Sequence, residues 1–192
     1  MAAGSGQKTV AAMASDRVPG SWCRCLRPTP RSHLLDECVV AAERVELKHA
    51  TCIAIGDAAV LLVGPSGAGK SDLALRCLAL AQSRICPEPF ILVSDDQTQL
   101  HVADGRLMAR APTTIAGKLE VRGLGIVDTA WRDEAEVILV ANLTQEPLLR
   151  LPDENNHEVL LGVAVARTSI NPFTASAPLQ VALALQKAVS NT

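Results

Sequence analysis

Residues 59–80, AVLLVGPSGAGKSDLALRCLAL, leave few folds open to this chain: an unbroken apolar run meets a glycine-rich turn and resumes with helical spacing. Gly64, Gly69, Lys70 and Ser71 match G-x-x-x-x-G-K-[ST] without substitution. Each position has a physical reason. The two glycines permit backbone angles and close approach that side chains would block, so that successive amides can point into one concavity and bind phosphate oxygens. Lys70 supplies a mobile positive charge, Ser71 a hydroxyl for Mg2+, and the following helix its positive N-terminal end. Gly64, Pro65, Ser66, Gly67, Ala68, Gly69, Lys70 and Ser71 are therefore the candidate nucleotide-binding residues. A loop of this kind points to a nucleotide or pyrophosphate and leaves the phosphate's destination open.

Composition narrows the classes. A chain of 192 residues, 48% hydrophobic and 20% charged, can bury one substantial core. Aromatic residues make up only 2% and Tyr is absent, which disfavours nucleic-acid binding by base stacking. No run of 18 apolar residues is present, so no transmembrane span is expected. Of the six cysteines, Cys52 and Cys77 sit in apolar stretches where a free thiol behaves as a small hydrophobe, which favours a reduced, cytoplasmic setting. Cys23 and Cys25 lack both the spacing and the second ligand pair of a zinc site. Residues 1–35 carry Lys8, Arg17, Arg24, Arg27 and Arg31 against Asp16, so that of the formal −2 the remainder holds −6. Residues 1–36, rich in Ala, Ser, Pro and Arg and without sustained periodicity, read as a disordered basic leader, either a transit-type segment or an over-long start. Residues 37–192 read as one catalytic domain.

Within that domain Gly56 and Asp57 separate two strands, 50–55 and 59–63, as a hairpin that feeds the glycine loop. Ala74, Cys77 or Leu78, and Ala81 predict a helix over 70–82 that the PEP at 87–89 stops. FILVSDD reads as a buried strand ending in two acids, TQLHVADGRLMAR as a hairpin around Asp104 and Gly105, and 137–143 and 159–165 as further strands. The stretch after Pro172 reads as a closing helix with Pro178 in its first turn.

Phosphoryl transfer on such a loop needs a carboxylate at the tip of a neighbouring strand. Asp95 and Asp96 stand at one; adjacent acids point to opposite faces, so one is expected to aim at the phosphate while the other caps or pairs, and a solvated turn is the alternative. Farther on, LEVRGLGIVD places Glu120 and Arg122 on one face and breaks the run with Gly123 and Gly125, a pattern that marks close approach to the backbone.

That Glu-x-Arg-Gly-x-Gly stretch, following the phosphate loop and the strand ending in Asp95 and Asp96, resembles the signature of the bacterial HPr kinase/phosphorylase family, and the resemblance runs from about His49 to about Asn171. It implies an α/β P-loop kinase domain of the HPr kinase C-terminal or phosphoenolpyruvate carboxykinase-like type, a mixed sheet flanked by helices. It implies ATP (or pyrophosphate) and Mg2+ as cofactors, and a serine of the phosphocarrier protein HPr as acceptor. Asp95 would be the general base, His49 and Lys70 would neutralise developing charge, Ser71 and Glu120 would hold Mg2+, and His49 is expected to reach Asp95. Family likeness further implies a homo-oligomer, a hexamer. Two departures stand out: the separate N-terminal domain of long members has no counterpart in residues 1–36, and the arginine-bearing loop before the last helix is replaced by TSINPFTASAP. Because that loop serves the dephosphorylating direction in the family, kinase activity is expected over phosphorylase. The other readings are a P-loop kinase of another acceptor and a module that senses ATP without transfer.

Overall fold

The computed structural model describes residues 44–148, 150, 151 and 156–191. The basic leader over 1–36 and the Cys23 and Cys25 pair lie outside them. In chain order the described elements are β1 (Glu46–Lys48), β2 (Thr51–Ile55), β3 (Ala58–Val63), α1 (Lys70–Leu78), β4 (Ile91–Ser94), β5 (Thr98–Ala103), β6 (Arg106–Arg110), β7 (Lys118–Val121), β8 (Gly125–Asp128), β9 (Glu134–Leu143), β10 (His157–Leu160), β11 (Val163–Ile170) and α2 (Ala177–Ser190).

Period-two alternation decides which side each strand residue serves. In β2 and β3, Ile53, Val60 and Leu62 join a cluster with Leu73, Ala74 and Cys77 of α1 and Val181, Ala182 and Leu185 of α2. Their neighbours Cys52, Ala54, Ala59 and Leu61 turn the other way, to Val93, Leu100, Leu107, Val140 and Val165. Both helices therefore cover one face, and the second core is closed by the strands themselves. Each fully buried Leu among these contributes about 1.5–3 kcal/mol of transfer free energy.

The main sheet is mixed, in the order β1-β5-β6-β9-β3-β2-β4, with β11 also on β9 and β10 on β11. β9 organises it. On one edge it runs parallel to β3, and on the other it pairs first with β6 through Glu134, Ala135 and Glu136 and then in parallel with β11 from Leu139 to Leu143. The β7–β8 hairpin forms a separate two-stranded sheet. Parallel β3 and β9 bring their carboxyl ends to one rim, where ligands bind in α/β sheets.

Two sequence expectations change. The helix over 70–82 ends at Leu78: the Leu80 amide bonds to the Cys77 carbonyl at 3.0 Å, tightening the last turn, and Ala81 is exposed. Ser83 then competes with helical bonding, since its hydroxyl takes the Cys86 amide at 3.2 Å and its own amide reaches the Cys86 carbonyl at 2.8 Å. The helix thus stops well before the PEP. The single strand at 159–165 is a hairpin, split by Leu161 and Gly162 at φ +50° and +87°, the left-handed pair of a tight two-residue turn.

Candidate functional site

The phosphate loop occupies the rim between β3 and α1. Gly64 sits in tight quarters: a Cβ would lie 3.1 Å from the Ala68 Cβ and 3.3 Å from the Leu143 Cβ of β9, so its neighbours would have to give by a few tenths of an ångström. The Ala68 amide closes the loop onto the Pro65 carbonyl at 3.1 Å, while Ser66 and Gly67 are exposed at its tip. Gly69, at φ +85°, turns into α1 without a side-chain cap. The first amides of that helix consequently have no intrahelical acceptor and share its positive end, the physical basis of an anion cradle.

Lys70, 7% exposed, has three partners: the Gly64 carbonyl at 3.1 Å, the Pro65 carbonyl at 3.2 Å and His49 Nε2 at 3.2 Å. An ammonium has three donors, and all three are used. Asp95, 4% exposed at the end of β4, is the second centre. Its Oδ1 accepts from the Thr51 hydroxyl at 2.7 Å and from the Ser71 hydroxyl at 2.9 Å, and its Oδ2 accepts from the Glu120 amide at 3.0 Å. One carboxylate therefore joins β2, the start of α1 and β7.

The two adjacent acids do diverge, and the pairing differs from the expectation that His49 reaches Asp95. His49, between β1 and β2, sets its Nδ1 3.0 Å from Asp96 Oδ1. A three-residue turn is the cause. The Gln97 amide bonds back to the Asp95 carbonyl at 2.7 Å, with Asp96 between them at φ +61°, and the reversal carries the second acid away from Ser71. Asp95 itself is already enclosed by Thr51, Ser71 and Glu120.

Glu120 contributes its backbone to Asp95, and its exposed side chain has no partner among the described residues. Ser71 gives its proton to Asp95, which leaves the hydroxyl's lone pairs free. This donor set fits Mg2+: hard oxygens, one available carboxylate, and no cage of three or more acids or histidines among the described residues, since Mg2+ takes one or two carboxylates and completes its shell with phosphate and water. The nucleotide fits the loop for the reasons of backbone geometry and charge just given. A cleft of about 560 Å3 opens beside it, lined by Pro65, Gly67, Leu143, Thr144, Glu146 and Pro172. A larger one of about 670 Å3 lies along the first half of β9 and shares none of these residues.

Sequence reasoning missed Thr51, Asp96 as the histidine's partner, and the segment after β11. Thr51 stands two residues beyond His49, so extended-chain periodicity could have placed both toward the loop. The segment from Asn171 carries no comparable signal. Arg76 of α1 donates to the Pro172 carbonyl and, at 3.3 Å, to the Thr174 carbonyl, which holds Pro172 and Phe173 3.6 Å from where a Gly69 Cβ would be.

Residues 41–191 match the family model described as the HPr Serine kinase C-terminal domain. The chain is 33% identical over 144 residues to the HPr kinase/phosphorylase of Lactobacillus delbrueckii subsp. bulgaricus, covering 69% of this chain and 43% of that protein. It is 31% identical over 183 residues to the protein of the same name from an Azoarcus species, covering 86% and 55%. The chain thus spans about half the length of the curated relatives it matches. The structure of the Hpr(Ser) kinase/phosphatase from Coxiella burnetii is similar with a TM-score of 0.63 at 24% identity, over 76% of this chain and 97% of that one. That likeness shows the fold, a P-loop kinase α/β fold with a curled mixed sheet.

Proposed function

Because the chain belongs to the family of HPr serine kinase C-terminal domains, we propose that it is an ATP- and Mg2+-dependent protein serine kinase whose acceptor is HPr. The observation that carries this reading is the meeting of Asp95 with Ser71, 2.9 Å apart, beside the buried Lys70. The base and the phosphate cradle share one hydrogen bond.

In this reading the loop amides and Lys70 hold the phosphates of ATP, and His49 adds its ring to the same wall. As the acceptor serine oxygen attacks the γ-phosphorus, the new O–P bond forms, the bond to the ADP oxygen breaks, and the serine proton passes to Asp95. Ser71 and Glu120 would hold Mg2+, which supplies positive charge against the phosphate oxygens when bound. Thr51 and the Glu120 amide keep the Asp95 carboxylate fixed, so that orientation is set before the acceptor arrives.

Residues 171–176 contain no arginine where the family carries its arginine-bearing loop, which supports the kinase direction over phosphorolysis. A cytoplasmic, homo-oligomeric protein, a hexamer by family likeness, completes the proposal; among the described residues no helix is long and apolar enough to cross a membrane.

Incubation with ATP, Mg2+ and HPr, read as the mass of HPr, tests the proposal. HPr should gain one phosphate. Unmodified HPr from an enzyme that binds ATP would transfer the weight to another acceptor or to a nucleotide sensor.

A further inference from the structure

The strand order divides the rim at the phosphate loop. Thr51 of β2 and Asp95 after β4 lie on one side of β3, and the ends of β9 and β11 lie on the other. Those two ends are tied together, since the Thr144 amide donates to the Ile170 carbonyl at 3.0 Å. The cleft of about 560 Å3 opens on this second side, edged by Pro65 and Gly67 of the loop, by Leu143, Thr144 and Glu146 after β9, and by Pro172 after β11. Its volume lies within the range of small-ligand sites. A nucleotide whose last phosphate meets Ser71 and Asp95 has this side for its base.

An aromatic ring stands there. Of the two phenylalanines, Phe90 is buried and Phe173 is 58% exposed, with its Cε1 and Cζ 3.6 Å from where a Gly69 Cβ would be. Single exposed apolar side chains are ordinary, but the backbone around this one is fixed at several points. The Phe173 amide donates to Asn171 Oδ1 at 3.1 Å, and the Thr174 hydroxyl donates to the Asn171 carbonyl at 3.1 Å. Arg76 of α1, oriented by Asp72 Oδ2 at 3.0 Å, donates to the carbonyls on either side of Phe173, those of Pro172 and Thr174. A held aromatic face beside a phosphate cradle offers a base what it stacks on, and such stacking is worth most where the ring needs no ordering on binding.

We propose that Phe173 is the stacking platform for the base of the nucleotide held by residues 64–71, with the nucleoside lying along the cleft edged by Pro172, and that Arg76 is the positioning residue that holds the ring in place. The proposal rests on the reading of the loop as an ATP site and adds how the base is held. The division of labour follows from the two sides of β3: the phosphates and the transfer belong to the loop and Asp95, the base to the segment after β11. Inorganic tripolyphosphate, which carries the phosphates and no base, uses the loop alone.

Calorimetric titration of the full chain in Mg2+ compares ATP with tripolyphosphate. Phe173→Ala should bind ATP about tenfold more weakly, the scale of one base–aromatic stack, and tripolyphosphate within about twofold of wild type. Arg76→Ala should show the same split, and Phe173→Trp, which keeps an aromatic face, should retain ATP affinity. A second readout follows the ring itself: the emission that Phe173→Trp adds to the wild-type spectrum should be quenched by ATP and unmoved by tripolyphosphate. ATP affinity unmoved in Phe173→Ala, or an equal loss for both ligands, overturns the proposal and leaves the ATP reading of the loop standing. ATP affinity unmoved in Arg76→Ala overturns the role of Arg76. A folded wild type that binds neither ligand overturns the ATP reading and the proposal together, and one that shows the split yet transfers nothing to HPr overturns the kinase reading alone.

Discussion

The Ser71 hydroxyl donates to Asp95 Oδ1 at 2.9 Å, so the residue that follows the loop lysine and the acid at the end of β4 are joined directly. One carboxylate is shared between the phosphate cradle and the strand tip. Replacing its oxygen by a nitrogen breaks that role while keeping the shape. Asp95→Asn should lower the rate of phosphate transfer by about 10²–10⁴-fold, the range for a removed acid–base group, and leave ATP affinity within about threefold. Steady-state rates with calorimetric ATP binding check this; an unchanged rate removes Asp95 from the chemistry.

Thr51 is fully buried and gives Asp95 its shortest hydrogen bond, 2.7 Å. Thr51→Val keeps the volume and withdraws the donor from a buried carboxylate. Stability should fall by about 1–3 kcal/mol, measured by denaturant unfolding with an unchanged slope.

Gly117 precedes β7 at φ +71°, and a Cβ there would stand 2.6 Å from Trp131 Cδ1. Gly117→Ala meets both the ring and the left-handed backbone, so a loss of about 1–3 kcal/mol is expected. Because β7 carries the Glu120 amide to Asp95, transfer activity should fall with it. Trp131→Ala in the Gly117→Ala background removes the steric partner and should recover part of the stability.

Burial pushes the Cys77 thiol up to about 12, with Arg76 opposing the rise and Cys86 adding to it; burial also raises Cys52. A buried thiol that keeps its proton while the unfolded chain loses it stabilises fully below the unfolded value near 9.0, and this is lost as pH rises toward the folded one. Unfolding free energy measured from pH 9 upward should therefore decline with a slope of up to about 1.4 kcal/mol per pH unit for each thiol. In Cys77→Ala the decline should be shallower; an identical slope contradicts it.

How much of this was legible in the residues depends on distance along the chain. The strand–loop–helix around Gly64 to Ser71, the Gly56 and Asp104 hairpins and the closing helix are written locally, in glycines, alternation and Pro178, and they appear where expected. The end of α1 at Leu78 is set by bonds of Ser83 to Cys86 that compete with a helix, and no breaker marks it. The split at Leu161 needed a leucine in a left-handed turn, which few sequence rules favour. At the site, the residue types were visible and their partners were not. SDD announces two acids, yet which one meets His49 depends on a turn at Asp96 and on the pairing of β1 with β5 and of β2 with β4, which sets the two connections side by side. The close packing of Pro172 and Phe173 beside Gly69 likewise depends on Arg76 reaching nearly a hundred residues along the chain.

The most direct test is to locate the transferred phosphate. HPr incubated with this protein, Mg2+ and ATP labelled in the γ-phosphate should carry the label on a serine, identified by tandem mass spectrometry, and Asp95→Asn should leave HPr unlabelled while still binding ATP. Label on no residue of HPr, with ATP bound and the protein folded, would contradict the assignment of this site as an HPr serine kinase.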